Sequence, residues 1–118
     1  MTDFEAAKTK AKADNKLILA DFTGSDWCVW CHRLRDEILA TPEFARYAAD
    51  KLVLVELDFP KHLAQSEELK AQNMAVSRHF RITGYPTVIV IDAAGKALGR
   101  LGYQEGGPGP FVEALDKL

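Results

Sequence analysis

The sequence predicts an α/β fold, a mixed four-stranded central sheet flanked by helices on both faces. Three observations carry this. "LILADF" (Leu17–Phe22) and "LVLVELDF" (Leu52–Phe59) are short, nearly continuous apolar runs, the pattern of strands covered on both sides. Stretches of helical period follow each of them, so the first half reads as a βαβ unit. "DAAGK" (Asp92–Lys96) then joins two further apolar segments as a hairpin turn, with Gly95 where a positive φ is wanted, so the second half adds antiparallel strands.

The elements follow in order. Thr2 and Glu5 have capping-box spacing, and Phe4, Ala7 and Ala11 form a narrow stripe. A first helix is expected to about Asp14, ended by Asn15 and Lys16. The first strand, Leu17–Phe22, leads through the loop "TGSD" into a helix opened by the two cysteines, with Leu34, Ile38 and Leu39 periodic. Thr41 and Pro42 read as an N-cap and first helical position, with Phe44, Tyr47 and Ala48 inward. Pro60 stops the second strand. A long helix is expected before Phe80, with Leu69, Asn73, Val76 and Phe80 at helical spacing. A third strand begins at Pro86 or just after. "ALGRLGY" makes an edge-like fourth, whose Gly99 and Gly102 mark irregular or closely approached backbone. After the loop "QEGGPGP", a terminal helix is expected to turn Phe111, Val112, Leu115 and Leu118 inward.

Residues 1–118 read as a single domain, long enough to bury a core without staples. Hydrophobic residues make up 47% and charged residues 27%. The net charge of −2 argues against nucleic acid as a partner, and no apolar run approaches the roughly 18 residues of a membrane span. The opening "MTDFEAAKTK" is polar and helical, unlike a signal peptide; a leader removed before this fragment is compatible with it.

"WCVWCH" (Trp27–His32) holds both cysteines of the chain. Such a string serves a thiol–disulfide redox pair, a c-type haem attachment, or part of a zinc site at Cys28, Cys31 and His32. A haem needs a second axial ligand, for which Met74, His62 and His79 are the candidates, and an enclosing helical pocket. The apolar residues here already serve a sheet. Zinc needs a fourth ligand, and no second C-x-x-C or H-x-x-x-H exists. Two buried inert cysteines fit poorly beside "TGSD" and two tryptophans. The redox reading needs a thiolate at a helix N-terminus just past a strand end, and a second sulfur one turn on. Position supplies both.

"LILADF", "WCVWC", "GYPT" and "LGY" together resemble the thioredoxin superfamily, and the resemblance spans nearly the whole chain. "DFTGSDWCVWC", "LVELDFP" and "GYPTVIVID" look most like small bacterial thioredoxin-like disulfide reductases. The resemblance implies a thiol–disulfide oxidoreductase that reduces or isomerises protein disulfides. Cys28 would be the nucleophile and Cys31 the resolving thiol, with no metal or organic cofactor. It implies a cis Pro86 against the disulfide and Tyr85 backbone pairing to an extended substrate. Asp21 would accept the proton of the resolving cysteine, with Glu56 a weaker member of the same network. Trp27, Val29, Trp30, Tyr85, Pro86, Gly102 and Tyr103 form the expected substrate rim. Partners would be disulfide-containing proteins and a thiol reductant or membrane electron donor, in a periplasmic or otherwise extracytoplasmic compartment, the cytoplasm being the alternative. Val29-Trp30 between the cysteines, and a longer segment from Asp58 to Tyr85, depart from ordinary thioredoxins and imply a different groove. His32 could assist the Cys28 thiolate or simply be solvated. A redox-sensing protein-binding module with little turnover is the rival reading.

Overall fold

The computed structural model describes all residues from Met1 to Leu118. The elements are α1 (Phe4–Asp14), β1 (Leu17–Thr23), α2 (Val29–Leu34), a π-helical turn (Arg35–Leu39), α3 (Pro42–Lys51), β2 (Leu52–Asp58), α4 (Glu67–His79), β3 (Thr87–Ile91), β4 (Ala97–Leu101) and α5 (Pro108–Asp116). The strand order is β2-β1-β3-β4. β1 is parallel to β2, β3 is antiparallel to β1, and β4 is antiparallel to β3. The expected thioredoxin fold is present, with β1 central.

Strand alternation divides the sheet into two cores. Ile18, Ala20 and Phe22 of β1 enter one, covered by Phe4, Ala7 and Ala11 of α1 and by Val76 and Phe80. Leu19 enters the other with Val88 and Val90, beneath Leu34, Ile38, Phe44 and Phe111. Asp21 and Thr23 share the parity of Leu19, so the pleat directs them to the α2 side. On that face only Leu52 of β2 is buried. Leu54 and Glu56 stay exposed, which leaves an opening beside β1 at the level of Asp21.

Several local expectations are corrected. The α1 cap is Asp3, whose carboxylate accepts from the Ala6 N–H at 3.0 Å, and not Thr2. The first two residues are drawn along the β2 edge instead: the Met1 amino group donates to the Leu54 carbonyl, and the Glu56 N–H donates to the Met1 carbonyl. Gln72 then donates to the Thr2 carbonyl and accepts from the Phe4 N–H. α5 starts at Pro108, two residues before the expected Pro110, because proline suits a first turn whose N–H groups lack helical acceptors. Leu118 is not inward; it is 43% exposed and lies across Gly99, where a Cβ would collide with it. The extra length after Asp58 goes into the loop 59–66 ahead of α4.

Phe44 is fully enclosed, with the Phe111 ring 6.0 Å away, and it ties α3 to α5. Phe44→Ala should cost about 3–5 kcal/mol in urea denaturation. A loss below about 1 kcal/mol would show that this face of the sheet is not a packed core.

Candidate active site

β1 ends at Thr23, and the chain turns through Gly24–Trp27 before Cys28. Cys28 is the N-cap of α2, in extended conformation, and its Sγ accepts from the Cys31 N–H at 3.2 Å. A helix N-terminus has such N–H groups to spare. Cys31 lies one turn on, disulfide-bonded to Cys28 with their Cα atoms 5.2 Å apart. Its Sγ lies 3.5 Å from the Gly24 N–H. Both cysteines are buried, at 6% and 4% exposure, so only a partner fitted closely to the rim reaches the bond.

The turn is held by side chains whose roles were not legible in the motif. The Ser25 N–H donates to Asp58 Oδ1 at 2.9 Å, and the Ser25 hydroxyl donates to the other oxygen of the same carboxylate. Trp27 Nε1 donates to the Phe59 carbonyl at 2.7 Å. Gly24 is required beneath it, since a Cβ there would run into the indole. Asp26 accepts from three successive backbone N–H groups, those of Lys61, His62 and Leu63. These bonds hold its carboxyl at about 2, the Lys61 N–H contributing most. His32 directs Nε2 at the Ser25 carbonyl, 2.7 Å away; a carbonyl only accepts, so that nitrogen carries a proton.

The expected rim divides into two walls. The Tyr85–Pro86 bond is cis, and Gly102 lies beside it: a Cβ at Gly102 would meet only the Pro86 carbonyl, at 3.8 Å. Val29 and Trp30 are exposed, at 65% and 51%. Trp30 packs on Tyr103, the Arg33 guanidinium stacks 5.0 Å from both rings, and Glu37 accepts from Arg33 Nε and the Tyr103 hydroxyl. On the other wall Trp27 and Tyr85 are partly buried. Tyr85 is wedged between Trp27 and Phe59, so it presents an edge rather than a free ring.

Behind Cys31 lies a cavity of 230 Å³, lined by Asp21, Thr23, Cys31, His32, Arg35 and Glu56 among others. Asp21 Oδ1 is shut from solvent and has no hydrogen-bond partner, although the residue keeps some exposure toward the cavity. Burial above all, then the charges of Glu56 and Asp58, raises its carboxyl to about 7. Glu56 is its partner in register across β1 and β2; partial desolvation at the cavity mouth, then the Asp58 charge, raises its carboxyl too. The arrangement can hold a proton near neutral pH within the cavity that Cys31 also lines.

The haem and zinc candidates are not brought together. Met74, His62 and His79 are exposed on α4 or the loop before it, and no three His, Cys, Asp or Glu side chains converge as a metal cluster. Asp26, Asp58 and Glu37 are the residues that reading the sequence missed. Only Glu37 left a trace, its i,i+4 spacing from Arg33.

Comparison with known proteins agrees with this geometry. Residues 4–118 match the family model described as "Thioredoxin-like domain". The chain is 40% identical to "Disulfide bond reductase DsbH" of Chlamydia pneumoniae, over 95% of this chain and 68% of that protein. It is 34% identical to "Thioredoxin-related protein DsbJ" of the same organism, over 85% of this chain but only 29% of that longer protein. A solved structure titled "DsbH Oxidoreductase" superposes with a TM-score of 0.93 at 37% identity, covering 99% of this chain and 82% of the other. With its redox-spaced cysteines joined at the end of β1, the chain belongs to the thioredoxin-like domain family and is a thiol–disulfide oxidoreductase of thioredoxin type.

Proposed function

We propose that residues 1–118 work as one thioredoxin-like domain that reduces protein disulfides outside the cytoplasm, Cys28 attacking and Cys31 resolving. The carrying observation is the unlike setting of the two sulfurs. Cys28 Sγ takes a helix N–H, which favours a thiolate. Cys31 lines the cavity that holds Asp21, a base poised near neutral pH. The Cys28 thiolate attacks one sulfur of a substrate disulfide and expels the other as a thiolate. The Cys31 thiol passes its proton to the Asp21 carboxylate and attacks Cys28 Sγ. The second substrate thiolate leaves, and the Cys28–Cys31 disulfide remains. Two electrons have moved from the dithiol to the substrate, and an external thiol reductant or membrane electron donor restores them. The rim of Val29, Trp30, Tyr103 and the cis Pro86 suits extended polypeptide. The reductase named among its relatives supports the direction of transfer, and the resemblance to small bacterial reductases supports the compartment. No helix is long and apolar enough to cross a membrane.

Cys31→Ser should trap mixed disulfides with substrate proteins in non-reducing gels, and Cys28→Ser almost none; the reverse pattern would exchange their roles. With dithiothreitol as donor the wild type should reduce insulin catalytically, whereas a redox-sensing binding module should show little turnover.

Asp21 also makes stability depend on pH. Its proton leaves at about 7 in the folded chain and near 3.8 in the unfolded one, so the folded state binds more protons between those values. Ionisation therefore destabilises the fold as pH rises through that window, by roughly 4 kcal/mol once complete. Asp21→Asn should gain stability over wild type between about pH 4 and pH 8 in urea denaturation of the oxidised proteins. A difference that stays constant with pH would mean that Asp21 is solvated.

A further inference from the structure

The loop 59–66 has no regular structure, yet it is fastened to the turn that carries the cysteines. The Phe59 N–H donates to the Thr23 carbonyl, and Trp27 Nε1 donates to the Phe59 carbonyl. Farther along, Asp26 alone takes the N–H groups of Lys61, His62 and Leu63, at 2.9, 2.8 and 2.8 Å. Three consecutive amides turned toward one carboxylate leave the loop side chains directed elsewhere. The Lys61 ammonium lies 4.1 Å from the Trp27 ring, and Leu63 is 63% exposed. An exposed leucine and a cation are thus displayed beside Trp27, next in sequence to Cys28. The loop packs no side chain into either core beyond the partly buried Phe59. Asp26 itself is half-buried and both its oxygens are taken by backbone groups, so its consequence is the shape of this loop.

We propose that Asp26 is a positioning residue that holds Lys61–Leu63 as an added wall for the polypeptide flanking a substrate disulfide. This rests on the reductase function proposed above and names the substrate class: a protein disulfide with several residues of extended chain, rather than a small disulfide. A preformed wall spares the ordering of the loop on binding, an advantage that a small disulfide, too short to reach Leu63, does not collect. Because the carboxylate stays ionised down to about pH 2, the wall persists throughout the range in which Asp21 titrates.

The test is single-turnover oxidation of pre-reduced protein by insulin and by hydroxyethyl disulfide, followed by tryptophan fluorescence. Asp26→Ala should lower the ratio of the insulin to the hydroxyethyl disulfide rate constant by about fivefold, in the half-saturating insulin concentration rather than in the limiting rate. Amide hydrogen exchange at Lys61, His62 and Leu63 should quicken in the same variant. Asp26→Asn, which keeps one acceptor oxygen, should recover part of the ratio. Leu63→Ser changes an exposed side chain that supports no core and should lower the ratio with an unchanged melting temperature. Glu67→Gln, at the start of α4, is the control. Equal loss toward both disulfides, or an unchanged ratio in both Asp26→Ala and Leu63→Ser, overturns the wall while leaving the reductase in place. Wild-type protein that reduces neither disulfide overturns the reductase and the wall together.

Discussion

A carboxylate in the middle of the sheet, with one oxygen touching no donor, is the constraint around which this site is organised. Burying an unpaired charge costs several kcal/mol, and a sheet built for stability alone would place a valine there. Asp21 is flanked instead by Ile18, Leu19, Ala20 and Phe22, all buried, and faced in register by a second acid, Glu56. The chain meets the cost by leaving a cavity on that face and by letting the carboxyl keep its proton to near neutral pH. A group so perturbed, in a cavity shared with a cysteine, fits the proton transfer proposed for it.

The strand pleat makes the arrangement specific. One residue of slip in β1 would send Asp21 into the core under α1 and bring Ile18 and Phe22 to the cysteine side. Register with β2 and β3 prevents that slip. β1 thus delivers the acid beneath α2 and, two residues later, begins the turn that delivers the sulfurs. That turn is fixed from outside the motif, by Asp58 on Ser25 and by the Phe59 carbonyl on Trp27. The opposite wall is fixed by Glu37, set in a π-helical turn of a kind often found beside functional sites.

Fold and chemistry were legible where they depend on local pattern. The continuous runs at Leu17 and Leu52, the hairpin glycine, the Thr41-Pro42 start and the paired cysteines each reflect a preference that acts over a few residues. What escaped depends on distant chain meeting at a particular angle. Asp3 displaced Thr2 as a cap because Met1 pairs with β2, about fifty residues away in sequence. Asp26 stands out in no local pattern, because its acceptor role exists only once Lys61–Leu63 folds against it. Within the expected rim the exposure is uneven: Tyr85 lies between Trp27 and Phe59, and the most open apolar surface belongs to Val29 and Trp30, a division that depends on distant chain.

The central claim is that Asp21 holds a proton near neutral pH in the cavity that Cys31 also lines. Titration of the Asp21 carboxyl carbon by NMR in ¹³C-aspartate-labelled oxidised protein, with Asp21→Asn supplying the assignment, measures this directly. A midpoint of about 7 is expected. A midpoint near the ordinary aspartate value of about 3.9 would show a solvated carboxylate and would contradict the proton acceptor proposed for Cys31.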